Sequence, residues 1–386
     1  MRYLLMIPGP VEIPDEILEV YRGKTVAHYG PEWTKLYLET EHRVSVLFGC
    51  DGRSFLMPGS GSLGLDAAST TFCSGKRCLV LSNGMFGERL LSVASMHAEK
   101  ADVLRFPLQE PYDVSAVRKK LDEKRFEVVL AVQVETSTGL LNPIRELAET
   151  VKSRGLLFIV DAISSAGIEE LEMDAWGVDV VVTASQKGLE VPPGLGIVTV
   201  GRNLIDLIRQ RKPLSWYTDL HTWCDFYEKW HDWHPFPVTL PTNNVLALAK
   251  SLDSIESMGG IERRRRYFVG ISERFRRAIS ALGLEPFITG ESHAHGLTSV
   301  STGKKFVPAD LIEFLMKEVG IQIAGSFGDI KGHVFRVGHM SRKQCEMVNL
   351  ISVMSGMGMF MRRAGVKADI DAALQALLEG EIAELR

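Results

Sequence analysis

The sequence predicts an α/β fold built on a mostly parallel sheet covered by helices, and two observations carry that expectation. Four short runs are almost continuously apolar: RCLVLSN (77–83), FEVVLAVQV (126–134), LLFIVDA (156–162) and VDVVVTAS (178–185). Strands buried on both faces look like this. Longer segments of helical spacing separate such runs. One is NPIRELAETVKSRG (142–155), with proline near its start and Gly155 just past its end, the usual asymmetry of helix termini. Strand–helix–strand alternation sustained over roughly 200 residues is the pattern of a doubly wound domain.

Beyond residue 200 the pattern changes. The segment HTWCDFYEKWHDWHPFPVTLPTN (221–243) is aromatic, rich in histidine and broken by proline, and reads as a long ordered loop. A helix is expected over 243–260, followed by the basic helix IERRRRYFVGISERFRRAISALG (261–283). The remainder alternates strands and helices again and ends in the helical ADIDAALQALLEGEIAEL (368–385). The Gly259–Gly260 pair marks the expected boundary. It divides the chain into an N-terminal segment (1–15), a large domain (16–259) and a smaller C-terminal α/β domain (260–386).

The bulk numbers set limits on function. The chain has 386 residues, 45% hydrophobic and 24% charged, with a formal net charge of −4. That length supports two domains with their own cores, and the charge gives no general reason to bind nucleic acid or an anionic membrane. No apolar run approaches the roughly 18–20 residues that span a bilayer. The N-terminal MRYLLMIPGPVEIP does not read as a signal peptide, and the final GluLeuArg matches no simple address. Cys50, Cys73, Cys78, Cys224 and Cys345 are odd in number and lack CxxC spacing, which fits a reducing, cytoplasmic setting.

Four strand ends carry candidate chemistry. In MPGSGSLGLDAA (57–68) a strand runs into a glycine-rich turn that opens a helix. Its backbone N–H groups and helix dipole would attract an anion, and Ser60 and Ser62 would add hydroxyls. QVETSTG (133–139) ends a further strand with hydroxyls and a carboxylate, IVDAISSAG (159–167) another with Asp161, and TASQKGLEVPPGLG (183–196) a third with Lys187. The carboxyl ends of parallel strands border one crevice, so an anion cradle, a carboxylate and a lysine would converge there. Separately they are a tight turn, a helix cap and a surface lysine. Together they match the needs of pyridoxal 5′-phosphate: a phosphate site, an anion beside the pyridine nitrogen, and an amine for the Schiff base. A desolvated lysine also loses its charge readily enough to serve as nucleophile and then as proton shuttle.

With these motifs the sequence resembles the class V aminotransferases of PLP fold type I, in particular the alanine–glyoxylate and serine–pyruvate group. The resemblance runs through PGPVEIP (8–14), PGSGS, NGMFGER (83–89), VETSTG, VDAISS, SQKGLEVPPGLG and GHVFRVGHMS (332–341). It implies that Lys187 bears the cofactor and that Asp161 pairs with the pyridine nitrogen. Ser60, Gly61 and Ser62 would hold the phosphate, with Gln186 and Thr136 near the phenolic side of the ring. Phe86 would stack on one ring face, Ile163 would pack the other, Arg336 would bind the substrate α-carboxylate, and His28 of VAHYGPEW would reach the substrate. The resemblance also implies a homodimer acting on a small amino acid and a 2-oxo acid such as glyoxylate or pyruvate. One stretch departs from the family. A neighbouring subunit often supplies a tyrosine and a threonine to the phosphate, and HDWHPFPVTLPTN (231–243) has Asp232 and Pro235 near those positions. His234, Thr242 and Asn243 are the alternatives.

Other readings stay in view. A lyase or desulfurase uses the same cofactor, although desulfurases usually carry histidine before the lysine, where this chain has Gln186, and a reactive cysteine on a glycine-rich loop. A non-catalytic family member would not need Lys187, Asp161 and Arg336 together. No third ligand accompanies His231 and His234, or His293 and His295, so these are expected to be ordinary loop histidines and no metal site is expected. The ArgArgArgArg run (263–266) is expected to form a solvated helix face.

Overall fold

The computed structural model describes residues 3–380. Its main sheet has seven strands: β1 (Arg53–Gly59), β2 (Arg77–Ser82), β3 (Lys100–Arg105), β4 (Val128–Val132), β5 (Leu157–Asp161), β6 (Val180–Ala184) and β7 (Gly194–Val200). They lie in the order β1-β7-β6-β5-β4-β2-β3. Neighbours from β6 to β3 pair in parallel, and β7 alone runs against both of its neighbours. The four apolar runs are β2, β4, β5 and β6. Every residue of β4 and β6 is buried, which is why these strands show no alternation in sequence.

Helices cover the sheet. Those that matter here are α1 (Pro31–Leu47), α2 (Gly61–Phe72), α3 (Met85–His97), α4 (Ile144–Lys152), α5 (Leu220–Trp230), α6 (Thr242–Ser257) and α7 (Gly260–Ala281). Helix α4 falls within the segment whose termini were marked by Pro143 and Gly155. Helix α5 corrects the expectation of a loop over 221–243. Asp219 accepts a hydrogen bond from His221 N at 2.9 Å and caps its start. Trp223 and Cys224 are buried against the main core, and the prolines that suggested a loop come after the helix has ended.

A second, four-stranded antiparallel sheet contains β8 (Glu285–Pro286), β9 (Leu297–Ser301), β10 (Ala324–Gly325) and β11 (Val334–Gly338). It packs with α7, α8 (Met347–Arg363) and α9 (Ile370–Leu378) around Phe268, Phe275, Phe335 and Met354. The helix expected over 368–385 is described as α9, and residues 381–385 lie outside the described residues. The N-terminal arm belongs to this second core. Leu4 and Leu5 pair with Ile321 and Gln322, and Met6 and Val11 are buried there.

The arginine run is a second correction. Arg264 is fully buried and Arg265 nearly so, whereas Arg266 is exposed. A run of four covers all sides of a helix with 3.6 residues per turn, so one side must face inward, and there the arginines find carbonyl and carboxylate partners. Among the described residues no helix is long and apolar enough to cross a membrane, and no group of three His, Cys, Asp or Glu is placed to hold a metal ion.

Candidate active site

Five strands deliver their carboxyl ends to one cavity of about 250 Å³. From β1 the chain passes Ser60 and enters α2 at Gly61, with Ser62 in its first turn. Ser60 occupies the capping position in extended backbone, yet its hydroxyl makes no cap bond. A Cβ on Gly61 would stand 2.5 Å from Ile163 Cδ1, so a side chain there would close the cradle. From β2 the chain turns into α3, which presents Phe86. From β4 come Val134 and Thr136, from β5 Asp161 and then Ile163, and from β6 Gln186 and Lys187. All of these groups line the cavity.

The electrostatics follow from burial. Asp161 is pushed up to about 7 by desolvation, against the hydrogen bond donated by Ile163 N at 2.9 Å. Its other oxygen takes no hydrogen bond among the described residues. Burial also brings Lys187 down to about 8, with Arg336 adding to the effect and Asp161 opposing it. A buried carboxyl raised and a buried amine lowered in one cavity is the signature of a reactive site rather than of a surface ion pair. Lys187 Nζ donates to Pro8 O of the N-terminal arm, and Val11 N donates to Gln186 O at 3.2 Å.

Arg336 sits on β11, nearly buried. Its Nε donates to Gly325 O at 2.8 Å and its Nη1 to Thr136 O at 3.0 Å, and Phe327 lies against the guanidinium, 4.5 Å from Cζ to ring centroid. Among the described residues it has no carboxylate partner. Burial holds it down to about 10, with Glu135 raising it from a distance. His28 is placed elsewhere. It packs edge-on to His234, with ring centroids 5.2 Å apart, in an aromatic group with Tyr29 and Phe236, and does not line the cavity. His234, Thr242 and Asn243 also lie outside the cavity lining. Asn243 Oδ1 is buried with no partner among the described residues. Of the paired histidines, His295 instead joins Glu169 at 2.7 Å.

Three features go beyond what the sequence indicates: Arg89, the capping role of the Glu135 carboxylate, and the wall formed by Gly9 and Pro10. Arg89 lines the cavity one helical turn beyond Phe86, with its guanidinium 5.0 Å from that ring. The i, i+3 spacing within NGMFGER could have marked it. Buried Glu135 accepts from Phe86 N at 3.0 Å, Gly87 N at 3.1 Å and the Ser137 hydroxyl, so it caps the start of α3, the helix that presents Phe86. Gly9 and Pro10 form a wall of the cavity. A Cβ on Gly9 would collide with the Lys187 side chain. Nothing local to PGPVEIP indicates that contact.

The donor set fits a flat, phosphorylated pyridine aldehyde. A helix start offers hydroxyls and N–H groups to a dianion, Asp161 keeps an open oxygen, Lys187 offers an amine, and Gln186 Oε1 is buried with no hydrogen-bond partner among the described residues.

Comparison with known proteins agrees. The sequence model described as aminotransferase class-V matches residues 16–358. An uncharacterized aminotransferase of Methanocaldococcus jannaschii is 31% identical, over 88% of each chain. Alanine–glyoxylate aminotransferase 1 of Saccharomyces cerevisiae is 28% identical, over 88% of this chain and 92% of its own. The crystal structure of ureidoglycine–glyoxylate aminotransferase from Bacillus subtilis superposes with a TM-score of 0.90 at 26% identity, covering 97% of both chains.

Proposed function

Since the chain belongs to the class V aminotransferase family and is a pyridoxal-phosphate transaminase, we propose that it moves an amino group from a small amino acid to a 2-oxo acid. The donor is of the alanine or serine type and the acceptor is glyoxylate or pyruvate, in keeping with relatives named for glyoxylate. The observation that carries the reading is Arg336, a buried guanidinium without a carboxylate partner among the described residues, next to a cavity that holds a lowered lysine and a raised aspartate. A cation is held out of water at such cost only where an anion will meet it.

Bound at this site, pyridoxal 5′-phosphate supplies a sink for the electron pair left at the substrate Cα and a carrier for the amino group. In this reading Ser60, Gly61 and Ser62 hold the phosphate, Phe86 and Ile163 clamp the ring, and Thr136 and Gln186 face its phenolic side. Asp161 keeps the pyridine nitrogen protonated, because a cation beside a buried carboxyl favours the ionised form. Arg336 would take the α-carboxylate in a bidentate grip and so orient the substrate for proton removal by Lys187. Lys187 is the covalent anchor. Once released, its Nζ removes the Cα proton, a task suited to an amine whose pKa burial has brought down to about 8. His28 receives no role within the single chain. The boundary at Gly259–Gly260, a homodimer and a cytoplasmic setting complete the proposal.

A desulfurase reading lacks its nucleophile, since Cys345 is buried, donates to His339 O at 3.4 Å, and has its thiol pushed well up by burial. The deciding experiment is a half-reaction screen. Purified holoenzyme is mixed with single amino acids, and absorbance reports transfer of the amino group to the cofactor. Alanine or serine should convert it, and glyoxylate or pyruvate should reverse the change. Conversion only by amines without a carboxylate would overturn the substrate assignment.

A further inference from the structure

We infer that the buried cluster of Arg264, Glu190 and Arg342 is a positioning device for Lys187, fixing the turn that carries the lysine and tying it to the second core and the N-terminal arm. The inference rests on the reading of Lys187 as the cofactor-bearing residue.

Lys187 begins a turn closed by Glu190 N, which donates to Lys187 O at 2.9 Å. Glu190 has φ of +58°, a left-handed conformation that non-glycine residues adopt only when their surroundings hold them there. The surroundings are two arginines. Arg264 Nη2 donates to Glu190 Oε1 at 2.9 Å and to Gly188 O at 2.7 Å, and its Nε donates to Gly167 O at 2.9 Å. Arg342 donates its backbone N to Oε1 at 2.6 Å and its Nε to Oε2 at 2.8 Å. Burial alone would push the Glu190 carboxyl up, yet the arginines hold it below its ordinary range.

The three residues come from separate parts of the molecule. Glu190 follows β6 of the main sheet, Arg264 belongs to α7, and Arg342 follows β11, six residues after Arg336. Arg342 Nη2 also meets Glu16 Oε1 at 2.8 Å, just beyond the arm whose Pro8 accepts from Lys187. A clamp for the fold alone could attach to any exposed loop end. This one grips the carbonyl of the residue next to Lys187 and imposes a strained conformation three residues beyond it. The backbone that carries the lysine is therefore held before cofactor or substrate arrives, the preorganisation that orientation-dependent steps require.

The test uses Glu190→Gln, Arg264→Met and Arg264→Lys in the full chain. Each is measured for melting temperature, for the rate at which apoprotein captures added pyridoxal 5′-phosphate covalently, and for kcat and KM. Positioning predicts that Glu190→Gln and Arg264→Met slow capture and lower kcat by about tenfold each while KM for the amino acid stays within about twofold. Arg264→Lys should recover part of both. A lowered melting temperature with parental capture rate and kcat would overturn the inference and leave the cluster a fold clamp. Should Arg264→Met fail to fold, the near-isosteric Glu190→Gln decides alone. Lys187→Ala serves as the control: if it still captures the cofactor covalently, the reading of the site falls, and this inference with it.

Discussion

Burial shifts Lys187 and Asp161 in opposite directions, because water that would solvate either charge is absent. For Lys187 the consequence is a pH dependence with a definite sign. Its amine is held down to about 8, so the reactive uncharged form grows as pH rises through that value. Covalent capture of cofactor by the apoprotein should accelerate from pH 7 to 9 and then level off, as followed by stopped-flow absorbance; a rate flat across that range would refute the assignment. Arg336 admits a sharper test. Losing its hydrogen bonds to a carboxylate costs about 1.5–3 kcal/mol, so Arg336→Ala should lower kcat/KM for α-amino acids by roughly ten- to a hundredfold. Simple amines without a carboxylate should be barely affected, and equal losses for both would make Arg336 structural. Lys187 and Asp161 were legible in the sequence because polar groups ending buried strands have few other uses. The capping role of Glu135 was not, because its partners Phe86 N and Gly87 N come from an element far away in the chain, whereas Arg89 sits one turn from Phe86 and only its spacing could have marked it.

Among the elements, β2, β4, β5 and β6 were legible because strands buried on both faces leave an unbroken apolar trace. Strand β7 (GLGIVTV) is also largely apolar, but its antiparallel direction comes from the connection between Ala184 and Gly194, which returns the chain beside β6, rather than from composition. Helix α5 is hidden in sequence because prolines and histidines crowd its C-terminal side, while its capping Asp219 precedes the aromatic stretch 221–243. The basic start of α7 resembles a solvated face in sequence, which counts charges without showing that Glu190, more than seventy residues earlier, meets one of them. Another contact joins the two cores. His295 on the approach to β9 bonds Glu169 with both its backbone N and Nδ1, each at 2.7 Å. Burial lowers the His295 pKa, but Glu169 outweighs it and the net shift is upward. This link therefore contributes stability fully below about pH 6.5 and loses it as pH rises through the higher folded value. Glu169→Gln should lower the melting temperature most in the acidic part of that window and least above it, as differential scanning calorimetry across pH would show. A pH-independent difference would mean that the ion pair is not the cause.

At the scale of the whole molecule, aromatic rings crowd one exposed region. Tyr29, Trp216, Trp230 and Trp233 are each about half exposed, and Trp233 packs against both Tyr29 and Trp230. A patch of that kind on a monomer is uncommon and usually marks an interface. The proposed homodimer would cover it, so sedimentation should show a dimer. Trp233→Glu should shift it toward monomer with loss of activity, and a fully active monomer of the parent would refute the proposal. The N-terminal arm has a different bearing, on the history of each chain rather than its surface. Leu4 and Leu5 pair with Ile321 and Gln322, partners more than three hundred residues later in synthesis. The main sheet, which ends at Val200, can assemble while the ribosome is still working, but Leu4 and Leu5 must wait for their strand partners until Ile321 and Gln322 have emerged. Contacts so distant in sequence form late because of the entropy of closing the loop. The outer anchor of the wall that Gly9 and Pro10 place over Lys187 is therefore among the last parts of the molecule to arrive, and the cover over the lysine is completed only when translation is nearly done.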